Sequence, residues 1–193
     1  MAQVNSVRAR EQSGPMHFIF HTAFCCSTLM ARALDVKGVS ESLKEPGVLL
    51  SFARHWASPR QTPGALEALA TTLNLLSRAE ARDETRIVKA SNAANHLLPE
   101  ILHLRPESKI LIMYSSLGGF LEAVARRDLG GRQFARQIFR GFADSIPLDI
   151  TFSAEEQLLQ TDLQIAAHAG LMQIAFFNAM IRHYGAEIGR ARV

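Results

Sequence analysis

Through the first 114 residues, short apolar runs rich in strand formers alternate with stretches whose apolar residues recur at helical spacing. Met16–Phe20 is the first such run, and Leu29, Met30, Ala33 and Leu34 then mark a helix from near Ser27 that ends before Gly38. Val39–Leu43 is a weaker second strand, closed by Glu45-Pro46-Gly47, and Val48–Trp56 reads as a short helix. A loop over Ser58–Gly64 leads to a helix over Ala65–Ala81, with Leu66, Leu69, Leu73 and Leu76 on one face. Arg86–Ala90 is a third strand. A helix over Asn95–Leu104 ends at Arg105-Pro106, because the residue before proline resists helical geometry. Lys109–Tyr114 is the clearest strand of all. Strands alternating with helices call for a parallel sheet covered on both faces, so the expected class is α/β, a three-layer α/β/α arrangement with a small, mostly parallel sheet of four strands.

Everything after Tyr114 reads helical: Leu117–Arg127, a break at Gly130-Gly131, Arg132–Phe142, and a long helix to about Tyr184. Ser153 and Glu156 have the spacing of a capping box at the start of that last helix. Met1–Gly14 shows no periodicity, so residues 1–15 are expected to form a flexible tail and residues 16–193 one domain. At 193 residues and 48% apolar composition the chain can bury roughly 70% of its unfolded surface and needs no staple.

Composition narrows the function. Lys plus Arg exceeds Asp plus Glu by 21 − 18 = 3, too little to argue for nucleic acid. The two cysteines, Cys25 and Cys26, are adjacent, so they build neither a disulfide framework nor a zinc quartet, and a reducing compartment follows. The seven histidines are scattered without metalloprotease spacing, and no metal is expected. No stretch approaches 18 uninterrupted apolar residues, and the start is not a signal peptide. The expectation is a cytoplasmic protein with no membrane span.

In open α/β sheets ligands bind beyond the carboxyl ends of the strands, so the first strand-to-helix turn is where chemistry is sought. Here it reads His21-Thr22-Ala23-Phe24-Cys25-Cys26-Ser27-Thr28. Small residues and two hydroxyls at a helix start suit a phosphate or sulfate. An ordinary helix cap fits the same residues. The turn lacks the glycine and lysine of a nucleoside-triphosphatase loop, which makes a kinase a poor third reading.

The string from Phe20 to Asp35 resembles the phosphosulfate loop of the sulfotransferase-like P-loop proteins. Further pieces follow in the family's order: Glu45-Pro46, then Ile87-Val88-Lys89-Ala90-Ser91 with Leu97-Leu98-Pro99, then Ile110–Tyr114 and a helix from Leu117. The resemblance implies sulfuryl transfer from 3′-phosphoadenosine 5′-phosphosulfate (PAPS) to a hydroxyl or amine of a small-molecule acceptor. By position it assigns Phe24, Cys25, Cys26, Ser27 and Thr28 to the 5′-phosphosulfate and Ser115 to the nucleotide. Lys89 would supply positive charge and His96 would stand in as base. Where the family carries a basic loop residue, a base histidine and a phosphate-gripping arginine, this chain has Phe24, Ser91 and Tyr114. Those departures motivate a second reading, a non-catalytic module that keeps the anion site. Family members also continue past the long helix, which leaves a truncated chain, a shortened homologue and a subunit completed by a partner all open.

Other features remain open. Arg132, Arg136 and Arg140 recur every four residues after Arg126-Arg127, and suit a phosphate, a partner or plain solvent. Basic residues without interleaved aromatics argue against single-stranded nucleic acid. His21 could reach a ligand oxygen or hold the turn's own backbone. Cys25 and Cys26, beside a helix start, are candidates for a lowered thiol pKa, or simply for packing. The last helix carries apolar residues on more than one face, which suits burial or a homodimer contact.

Overall fold

The computed structural model describes residues 14–56, 63–78, 84–143, 152–185 and 188–192. Strands β1 (Met16–His21), β2 (Ser40–Lys44), β3 (Thr85–Lys89), β4 (Ile110–Tyr114) and β5 (Ile188–Arg192) form one sheet in the order β2-β3-β1-β4-β5. Every pairing is parallel. The central strands β1 and β4 are mostly apolar because a parallel sheet is covered on both faces.

Helices α1 (Ser27–Ala33), α2 (Gly47–Trp56), α3 (Ala65–Leu76) and α4 (Leu98–Leu104) lie in the crossovers, α4 entered through a 3-10 segment, Asn92–Leu97. Met16, Phe18 and Phe20 point to one face and pack with Leu49 and Ala53 of α2, Leu69 and Leu73 of α3, and Leu98 and Ile101 of α4. Ile19 and Ile87 point to the other face, where Ala31 of α1 meets them. The result is the three-layer α/β/α fold with a helical C-terminal half that the alternation predicts.

That half comprises α5 (Leu117–Ala125), α6 (Asp128–Ala143), α7 (Ala154–Leu159) and α8 (Asp162–Tyr184). Helix α8 is long and apolar enough, by length and composition, to cross a membrane. Its Ile165, Ala169, Met172 and Phe177 are buried against α6 and the sheet, while Leu163 and Leu171 are exposed.

Several expectations need correction. The chain after Tyr114 is not all helical: β5 adds a fifth strand beside β4. Gly130 and Gly131 do not separate two helices but lie inside α6, which starts at Asp128. A Cβ on Gly131 would stand 2.1 Å from the Val124 carbonyl oxygen, so glycine is there to let two backbones approach. The long C-terminal helix is two helices, interrupted at Gln160-Thr161, where Thr161 and Gln164 form a second capping box. The first residues of the expected 95–104 helix are 3-10.

The expected tail lies outside the described residues as far as position 13, and Pro15 already accepts a sheet bond from the Arg86 amide at 2.8 Å. Positions 58–62 of the expected loop and 79–81 of the expected third helix also lie outside the described residues.

Candidate functional site

The sheet order places β1 between β3 and β4, so the chain reverses direction across β1 and opens a crevice at the carboxyl ends of these strands. The turn after β1 lies there. Ala23, Phe24 and Cys26 have φ of +71°, +52° and +57°, left-handed values that cost a side chain about 1–3 kcal/mol each. Contacts on every side hold them. Met113 of β4 accepts from the Thr22 amide at 3.1 Å and from the Cys25 thiol at 3.5 Å. The Phe24 ring packs against Phe120 of α5 and Phe134 of α6, with centroids 5.7 and 5.1 Å away. The Arg127 guanidinium lies 4.1 Å over the centre of the same ring. Thus the position where the resemblance places a cation holds an aromatic platform with a cation on it, delivered from elsewhere in the chain.

His21 braces the turn. Its Nδ1 accepts from the Ala23 amide and its Nε2 donates to the Ala90 carbonyl, both at 3.0 Å. Both ring nitrogens are occupied, so the histidine holds backbone. Burial, and then the charge of Lys89, push its pKa down to about 3 against the opposing Ala90 bond. The ring is therefore neutral, and its 4.0 Å approach to the Glu45 carboxylate is no ion pair.

Lys89 ends β3 on the same face as Ile87 and Ile19, the face that α1 covers. Its side chain is 2% exposed and its ammonium is paired with the Glu45 carboxylate. Glu45 follows β2 with φ of +54° and donates its amide to the Lys89 carbonyl at 2.8 Å. Two pieces quoted separately from the sequence, Glu45-Pro46 and Lys89, thus meet in space.

Of the other expected ligands, Ser27 is buried at the start of α1, and Cys26 and Thr28 are exposed beside it. Burial raises the Cys25 thiol pKa, with Ser27 hydrogen bonds only partly offsetting it, so of the two readings Cys25 fits packing. Ser115, beyond β4, is buried and its hydroxyl has no hydrogen-bond partner. Ser116 caps α5 by accepting from the Gly119 amide at 3.1 Å. His96 is set apart. Its Nε2 donates to the Ala53 carbonyl at 2.7 Å, its ring meets Phe142 edge-on, and burial lowers its pKa. It packs α2 against the 3-10 segment.

Sequence reasoning missed a buried amide cluster below the turn. Asn95 donates to the His21 carbonyl at 2.9 Å and to Gln173 of α8 at 3.4 Å, and Asn92 reaches the same Gln173 oxygen at 3.5 Å. A glutamine among the apolar residues of the long helix α8 was the available signal. Of the basic stripe, Arg132 and Arg136 both face Asp162, at 4.0 and 2.7 Å, so α8 neutralises part of it. Among the described residues no three His, Cys, Asp or Glu side chains gather as a metal site would require. Clefts of about 420, 420 and 520 Å³ lie beside α7, between α2 and α3, and beside Trp56 and Tyr184, and the turn lines none of these.

The chain matches no protein-family model and no curated protein.

Proposed function

We propose that the chain binds a phosphate- or sulfate-bearing nucleotide at the carboxyl edge of its sheet, and that its chemistry is sulfuryl transfer from PAPS to a small-molecule hydroxyl or amine. The observation that carries this is Lys89, a buried cation at the switch-point crevice, next to a turn held in a strained left-handed course. A buried ammonium has to keep an anion beside it, Glu45 in the unliganded chain, and left-handed non-glycine residues cluster where a backbone must present itself to a ligand. In this reading the turn's amides with Ser27 and Thr28 hold the phosphosulfate, and Lys89 balances its charge. The acceptor oxygen or nitrogen bonds to sulfur as the bond from sulfur to the bridging phosphate oxygen breaks, the nucleotide leaves as adenosine 3′,5′-bisphosphate, and the acceptor's proton passes to solvent.

The second reading, a module that binds such a ligand without turning it over, is favoured by the placement of His96. Its Nε2 is committed to Ala53, and its Nδ1, the nitrogen left to accept a proton, is sealed from solvent against a packed ring, which leaves the transfer without the base assigned to it. Incubating the chain with PAPS and a panel of phenols, alcohols and amines, and following the bisphosphate released, separates the two. Acceptor-dependent release supports transfer. Binding of PAPS with no release in any pairing supports the module.

A further inference from the structure

Lys89 and Glu45 form an unequal pair. The lysine side chain is 2% exposed and the glutamate side chain 49%, so the carboxylate lies between the ammonium and solvent. Glu45 is also held in an unfavourable conformation. Its φ of +54° belongs to the left-handed region, and it precedes Pro46, which drives the residue before it toward extended backbone. It lies one residue past the end of β2, an edge strand whose last paired residue is Lys44. A backbone bond from its amide to the Lys89 carbonyl and the ion pair with the Lys89 ammonium hold it there. The neighbouring His21 ring spends both nitrogens on backbone and offers Glu45 no second cation. A strained, half-exposed acid just past the end of an edge strand, paired with a buried cation, has the properties of a displaceable counter-ion.

We propose that Glu45 is an internal anion occupying the ligand position of Lys89, and that a tetrahedral oxyanion enters the crevice by displacing it. The inference rests on the reading of Lys89 as the site's cation. Displacement frees the backbone at Glu45 to relax and exchanges one anion for another at the ammonium, so the buried charge is never left bare. The occupant is an anion, and on the reading above it is a sulfate or phosphate group. The carboxylate thus sets a threshold: weakly held anions stay out, and a ligand anchored elsewhere along the crevice enters.

The test titrates the full chain with inorganic sulfate at constant ionic strength, sodium chloride making up the balance. Glu45→Gln removes the charge, and Glu45→Gly removes it while suiting the positive φ, which guards against a variant that fails to fold. Both variants are expected to bind sulfate about tenfold or more tightly than the unaltered chain, as loss of a competing like charge requires. Adding Lys89→Met to either is expected to abolish the gain. Equal sulfate affinity with and without Glu45, or a gain that survives Lys89→Met, overturns the proposal. A parallel titration of the unaltered chain with adenosine 3′,5′-bisphosphate tells the two failures apart. Bisphosphate binding without a sulfate gain removes only the displacement. A Lys89-dependent sulfate gain without bisphosphate binding removes only the nucleotide.

Discussion

His21 shows how a single side chain sets both stability and shape. Neutral when folded, with a pKa near 3 against 6.5 when unfolded, it takes up a proton more readily in the unfolded chain. Its contribution is therefore complete above about pH 7 and is lost as pH falls through the window from 6.5 toward 3, by about 1.4 kcal/mol per unit. His96, also lowered by burial, acts in the same direction. Urea unfolding at pH 7.5, 6.0 and 5.0 is expected to show falling stability before most carboxylates titrate, and His21→Asn should flatten the slope. A stability constant across that range contradicts the assignment. At this scale the sequence was only partly legible. The small residues and hydroxyls of 22–28 marked the turn, but its left-handed course did not show, because alanine, phenylalanine and cysteine rather than glycine adopt it. The tie from Arg127 to Phe24 and the pairing of Glu45 with Lys89 are products of the fold, invisible to spacing.

Among the elements, two adjacent glycines carry opposite expectations. Gly131→Ala drives a methyl into the Val124 carbonyl and is expected to cost about 2–3 kcal/mol, read as a lowered thermal midpoint. Gly130→Ala meets nothing within 4 Å and should instead stabilise α6 by about 0.5–1 kcal/mol. If both variants melt alike, the close approach of α5 and α6 is wrong. Thr161→Ala removes the cap that restarts the chain as α8 and is expected to cost about 1 kcal/mol in denaturant unfolding. Strands β1 and β4 were legible because burial on both faces makes them largely apolar runs, and β3 showed through Ile87-Val88 between charged residues. Strand β5 was not, since Ile-Gly-Arg-Ala-Arg at a sheet edge pairs through backbone and offers little apolar signal. The break at Gln160-Thr161 escaped for a similar reason: apolar periodicity continues on both sides of it, and only the cap residues mark the restart.

The alternation of strands and helices announced the parallel sheet, and the sheet order then puts His21, Glu45, Lys89, Ser115 and the 22–26 turn at one carboxyl edge. His96, assigned by its nearness in sequence to Ser91, turns into the helical layer instead. Helical drift over a few residues decides such a placement, and no motif spacing reveals it. The whole-molecule claim is that this edge is an anion-binding site served by Lys89. It is tested most directly by calorimetric titration of the chain, and of Lys89→Met, with adenosine 3′,5′-bisphosphate, using ATP as control. Saturable binding of the bisphosphate in preference to ATP, weakened at least about tenfold by Lys89→Met, is the expected result. Failure of the unaltered chain to bind either nucleotide, or binding that Lys89→Met leaves unchanged, contradicts it.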